Sequence, residues 1–117
     1  MTIDLFSNVD DVETFATGTT IFSEGDEPGG LMYVVQAGEV DIFVRGERID
    51  TVGPGACLGE IGLVDSRPRT ATAVAKEECR LVPIDQKRFS FLVQQTPHFA
   101  LQVMQTMAER LRLYRDY

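Results

Sequence analysis

The sequence predicts a mainly β chain that closes with helices: a sandwich or barrel-like roll of short antiparallel strands, then an α-helical end. Three observations predict it. Short runs rich in β-branched and aromatic residues recur through the first two thirds of the chain. Clusters of Gly, Pro, Asp and Glu punctuate them at regular spacing. After Ile84 the apolar period lengthens from two residues to the helical repeat.

The strand runs come first. Thr19-Thr20-Ile21-Phe22 and Leu31-Met32-Tyr33-Val34-Val35 are short and apolar. In Val40-Asp41-Ile42-Phe43-Val44 the aliphatic residues fall at every second position, the mark of a half-buried strand. Gly25 to Gly30, Ala37-Gly38, Arg45-Gly46-Glu47 and Gly53-Pro54-Gly55 supply the turns. Thr70 to Lys76 and Cys79 to Ile84 add two more strands. Phe22 and Phe43 are expected in the core.

Helices follow. Asp85 is a suitable N-cap for a helix carrying Phe89, Leu92 and Val93. Thr96-Pro97 predicts a second helix, with Thr96 as N-cap and Pro97 in the first helical position. In it Ala100, Met104, Met107, Leu111 and Tyr114 are spaced 4, 3, 4, 3, a heptad-like seam. Leu101 and Ala108 offer a second apolar edge. One stripe can pack on the roll and the other can join a second copy, so a homodimer through the C-terminal helix stays open.

Composition sets bounds. A chain of 117 residues fits one domain. Its apolar and charged fractions are those of a folded globular protein, not a disordered one. No apolar run approaches the roughly 20 residues of a membrane helix, and Met1-Thr2-Ile3-Asp4 opens no signal peptide. No membrane partner is expected. Two cysteines, Cys57 and Cys79, form no CxxC pair, so reduced packing thiols of a cytoplasmic protein are expected. The net charge is −7, unevenly placed: residues 1–65 carry 13 acids and 2 bases, residues 66–117 carry 5 acids and 9 bases. Direct nucleic-acid binding, which phosphate neutralisation drives, is not expected of such a chain.

The chemistry concentrates between Gly53 and Thr72. A cyclic phosphate with its ribose needs close backbone amides, a guanidinium and a hydroxyl acceptor. Gly59 and Gly62 permit close backbone approach. Arg69 can pair bidentately with phosphate oxygens, and Glu60 can accept from a ribose hydroxyl. Pro68 gives a rigid entry to the strand after it.

At these residues the sequence resembles the cyclic-nucleotide-binding domain family. That family includes catabolite-activator-type bacterial regulators, regulatory subunits of cyclic-AMP-dependent kinases and cyclic-nucleotide-gated channels. Phe22-Ser23-Glu24-Gly25-Asp26 and Met32 to Val40 resemble the family's first hairpins. Gly59-Glu60-Ile61-Gly62-Leu63 with Pro68-Arg69-Thr70-Ala71-Thr72 resembles its phosphate-binding cassette.

The resemblance implies an antiparallel β-roll, a double-stranded β-helix of jelly-roll type, with a short cassette helix and C-terminal helices. It implies one domain over residues 1–117, the roll at about 13–84 and the helices at about 85–117. It assigns Glu60 to the ribose 2′-hydroxyl and Arg69 to the cyclic phosphate. The N–H groups of Gly59, Ile61 and Ala71 would line the phosphate and sugar. Leu58 stands where phenylalanine is common, in an apolar wall. Thr70 stands where a hydroxyl can reach the phosphate or a guanine amino group, so it leans toward cyclic GMP tolerance without deciding the ligand. The segment before the roll, Ser7 to Glu13, is short, and with the chain stopping at Tyr117 the helix that usually caps the base is expected to be cut short.

The expected function is a regulatory module for a 3′,5′-cyclic nucleotide, cyclic AMP ahead of cyclic GMP, with no other cofactor. No helix-turn-helix, kinase or channel segment follows, so the signal is expected to pass to a separate or fused effector protein. The alternative is a ligand-independent dimerisation or interaction domain of the same fold. A metal-dependent cupin-like enzyme would need several inward histidines. His98 is the one histidine and sits just after Pro97 in the first turn of the predicted helix. No catalytic residue, enzyme activity or metal is therefore expected. Arg67 is expected to be a solvated loop charge, and Tyr114 and Tyr117 to pack or fray rather than stack on a base.

Overall fold

The computed structural model describes residues 5–64 and 67–113. The elements in these residues are, in chain order, β1 (Glu13–Phe15), β2 (Thr20–Phe22), β3 (Leu31–Ala37), β4 (Val40–Val44), β5 (Glu47–Val52), β6 (Cys57–Leu58), α1 (Ile61–Val64), β7 (Thr72–Ala75), β8 (Cys79–Asp85), α2 (Gln86–Gln95) and α3 (His98–Leu113). The strands make two four-stranded antiparallel sheets, ordered β1-β8-β3-β6 and β2-β7-β4-β5. The predicted antiparallel β-roll with C-terminal helices is the fold observed.

Two apolar clusters share the β3–β8 pair as their common wall. Met32 and Val34 of β3, with Val82 and Ile84 of β8, pack against Phe6, Phe99 and Val103 on the helical side. Tyr33 and Val35, with Cys79 and Leu81, pack against Val40, Ile42, Leu58, Ala73 and Ala75 between the sheets. Side chains alternate across a strand, so a strand buried on both faces must be apolar at successive positions. That is why Leu31 to Val35 reads as an unbroken apolar run, whereas β4 alternates. Val40 and Ile42 are buried, while Asp41 accepts a hydrogen bond from Thr51 Oγ1 of β5 at 2.6 Å. Arg45 and Gly46, with φ of 52° and 81°, join β4 to β5 through the two-residue turn that right-twisted strands favour.

The helices lie on the first sheet. Asp85 caps α2 as predicted, its carboxylate accepting the Arg88 N–H at 2.7 Å. Thr96 stands between the two helices, its carbonyl accepting the Phe99 N–H of α3 at 2.9 Å. Its N–H donates to the Leu92 carbonyl and closes α2, and α3 starts at His98. The predicted seam also divides. Phe99 and Val103 enter the core with Met107 against them, whereas Met104 and Leu111 stay exposed beside Leu101. Tyr114 and Tyr117 lie outside the described residues. The segment before β1 is held too: Gln36 Nε2 donates to the carbonyls of Phe6 and Val9, and Phe6 meets Phe99 edge-on at 5.8 Å. Among the described residues, no helix is long and apolar enough to cross a membrane.

Candidate functional site

A cavity of about 360 Å³ opens where the β6–α1 corner, the approach to β7, strand β4 and the far end of α3 meet. Leu58, Gly59, Glu60, Ile61, Arg69, Thr70 and Ala71, all singled out in the sequence, line it together. Leu58 is fully buried in its floor, while Ile61 and Thr70 are exposed at its edge. Phe22, Ile42, Val44, Met107 and Leu111 supply apolar wall.

Arg69 is 8% exposed and tightly partnered. Its Nη1 donates to the Gly59 carbonyl at 3.1 Å, and its Nη2 donates to the carbonyls of Pro28 and Leu31, each at 3.0 Å. Its own backbone bonds the turn before β3: the Arg69 N–H to Asp26 O, and the Gly25 N–H to Arg69 O. Phe22 lies against the guanidinium, 4.3 Å from ring centroid to Cζ. Burial lowers the guanidinium pKa, while Tyr33, Asp26 and Glu60 oppose that shift. It remains a cation at neutral pH.

The glycines have a use that the sequence reading did not foresee. A Cβ on Gly62 would stand 2.6 Å from Arg69 Nη1 and 2.7 Å from Pro28 Cβ, and one on Gly59 would strike the same Nη1. Both positions therefore admit the arginine side chain itself, before any ligand is considered.

Glu60 is the carboxylate of the site and is 3% exposed. A buried carboxylate needs a partner. Arg110 of α3 supplies it, with Nη1 2.5 Å from Glu60 Oε2, and its Nη2 donates to the Cys57 carbonyl. The far end of α3 is thus clasped to the cavity rim. The neighbouring Cys57 thiol is pushed up from 9.0 to about 11, chiefly by burial and then by the Glu60 charge.

Two residues of this site escaped the sequence reading. Phe22, expected in the core, does pack partly against the inter-sheet cluster, but it also lines the cavity. The sequence motifs do not single out Arg110. A signal for it existed: Phe99, Val103 and Thr106, all buried, continue at helical spacing to 110. Arg67 also lines the cavity while remaining exposed.

The arrangement suits a small organic anion with a hydroxyl and a flat apolar portion. It offers the guanidinium groups of Arg67, Arg69 and Arg110, the carboxylate of Glu60, glycine backbone and apolar wall. Among the described residues no group of His, Cys, Asp and Glu could hold a metal ion, and His98 stands at the other end of α3 from the clasp.

The family model of the cyclic nucleotide-binding domain matches residues 12–96. The cAMP-dependent protein kinase regulatory subunit of Eremothecium gossypii is 42% identical over 72 residues, 62% of this chain and 16% of that protein. The catabolite activator protein of Thermus thermophilus superposes with a TM-score of 0.78 at 31% identity, over 93% of this chain and 53% of its own. A structure from a cyclic-GMP-dependent signalling pathway that regulates bacterial phytopathogenesis superposes at 0.74 with 26% identity, over 92% of this chain and 90% of that one. The chain thus spans about half of the activator and a smaller part of the kinase subunit. Through the match over residues 12–96, it belongs to the cyclic nucleotide-binding domain family.

Proposed function

We propose that the chain is a regulatory module that binds a 3′,5′-cyclic nucleotide and relays occupancy through its C-terminal helices to an effector protein. One observation carries the reading: Arg69 and Glu60 share one cavity, and Glu60 is held by α3. Arg69 is the group for the cyclic phosphate and Glu60 the acceptor for the ribose 2′-hydroxyl. The amides of Gly59, Ile61 and Ala71 flank the phosphate and sugar, over the apolar floor of Leu58. A ligand that draws on Glu60 must share it with Arg110, so occupancy and the position of α3 are linked.

Cyclic AMP is the preferred ligand in this reading, in keeping with the E. gossypii relative's cAMP dependence. Cyclic GMP is the second, supported by the exposed Thr70 at the rim and by the cyclic-GMP-dependent pathway of one structural relative. The reading is of a binding module rather than an enzyme. It has no nucleic-acid or membrane contact of its own, and it belongs in the cytoplasm, where the free Cys57 and Cys79 stay reduced.

Isothermal titration calorimetry with cyclic AMP and cyclic GMP tests this. The wild type binds saturably, and Arg69→Ala, still folded by thermal melting, loses about a hundredfold in affinity. Undiminished binding by that variant would refute the assignment.

A second reading rests on the outer edge of α3. Leu101, Met104 and Leu111 are 46%, 55% and 73% exposed. That stripe suits a ligand-independent homodimer. Sedimentation shows a concentration-dependent dimer if so, and Leu101→Glu with Met104→Glu returns it to monomer.

A further inference from the structure

We propose that Phe22 is a positioning residue for Arg69: its ring fixes the tilt of the guanidinium and so sets the affinity for the cyclic phosphate without choosing the base. The inference rests on the cyclic-nucleotide reading of the cavity and adds a residue that this reading leaves among the apolar walls.

The guanidinium has three nitrogen corners. Nη1 and Nη2 are held by the carbonyls of Gly59, Pro28 and Leu31. Guanidinium N–H groups lie in its plane, so these bonds restrain movement within that plane most. The third corner, Nε, is buried and has no hydrogen-bond partner. Hydrogen bonds therefore leave rotation out of the plane weakly restrained. The Phe22 ring, 4.3 Å from Cζ, opposes that rotation, because the cation is drawn to the π face and contact is lost on tilting. On Gly59 a Cβ would touch both Arg69 Nη1 and Phe22 Cε2, so ring and glycine backbone bound the same guanidinium. An anion contact to the donors that those carbonyls leave over depends on the orientation of that plane.

Phe22 sits partly against the inter-sheet core, so a variant must keep its volume. Phe22→Met does so without a π face, and Phe22→Tyr keeps both. Titrations with cyclic AMP and cyclic GMP are made on wild type, both variants, Arg69→Gln, and Phe22→Met combined with Arg69→Gln. Phe22→Met is expected to weaken both nucleotides equally, by about tenfold, and Phe22→Tyr to restore binding to within about twofold. In the Arg69→Gln background Phe22→Met is expected to cost nothing further. In ligand-free protein the Arg69 Nε–H resonance is expected upfield from the ring current and to lose that shift in Phe22→Met. Unchanged affinity in Phe22→Met, unequal losses for the two bases, or the same loss without Arg69 would overturn the role of Phe22 while leaving the cyclic-nucleotide reading in place. Failure of the wild type to bind either nucleotide would overturn that reading and this one with it.

Discussion

Arg69 is held by three backbone carbonyls and Glu60 by Arg110, so both side chains serve the fold as well as the cavity. Both could be read from the sequence because each is an ionisable residue set among glycines and a proline at a distinctive spacing. Phe22 could not, since a phenylalanine in a short apolar strand looks the same whether it meets a core or a cation. The structure also changes what the glycines explain. Alanine is a better helix former than glycine by about 1 kcal/mol, so Gly62→Ala in α1 would be stabilising on propensity alone. Its Cβ would collide with Arg69 and Pro28, and overpacking costs about 1–3 kcal/mol. Collision wins, and we expect a lower melting temperature together with weaker nucleotide binding by calorimetry. Cys57 gives a pH prediction. Its folded thiol holds its proton to about pH 11, against 9.0 for an ordinary one. The folded state then binds more protons than the unfolded state between those values, so stability falls as pH rises through that window. Cys57→Ala is expected to flatten this loss in melting curves recorded from pH 8 to 11. At pH 8 a thiol reagent should modify neither buried cysteine until denaturant is added.

Among elements, legibility followed burial. β3, β4, β7 and β8 showed themselves because one or both faces enter a core, although β7 begins at Thr72, two residues later than the sequence suggested. β1, β5 and β6 went unread for different reasons. β1 is three residues with two of them exposed, and β6 is only Cys57–Leu58 beside turn glycines. β5 is an edge strand whose Glu47, Arg48 and Asp50 mask any period. At the α2–α3 boundary Thr before Pro is a sound N-terminal signal, and here the threonine serves both helices, its N–H closing α2 and its carbonyl accepting the Phe99 N–H of α3. The clasp from α3 makes its own prediction. Arg110→Gln leaves a buried carboxylate without its cation, which costs about 3–5 kcal/mol when a buried pair is broken on one side. Denaturant unfolding should show a loss of that order, and Glu60→Gln in the same chain should recover part of it. A coupling below about 0.5 kcal/mol in that double-mutant cycle would mean that the clasp is an exposed-pair contact of little consequence.

At the scale of the whole molecule, two cores meet at one wall of strands, and the helices complete the core on the far side from the β2-β7-β4-β5 sheet. Phe99 ties the N-terminal turn and α2 together, with ring centroids 5.8 Å from Phe6 and 5.5 Å from Phe89. Its truncation to alanine is expected to cost about 3–5 kcal/mol and to loosen α3 before the sheets unfold. Amide exchange would show this as protection lost in residues 98–113 ahead of the strands. The overall class was legible because the change of period after Ile84 is a property of many residues at once. Which helix stripe turns inward was not, because apolar residues occupy both edges of α3. The three carbonyls gathered by Arg69 have a consequence for descent. A lineage selected only to fold would still be penalised for losing this side chain, since Gly59, Pro28 and Leu31 would each forfeit a donor. Arginine at this position should therefore outlast ligand binding in drifting copies of the domain, and Glu60, which answers to α3, should outlast it for the same reason.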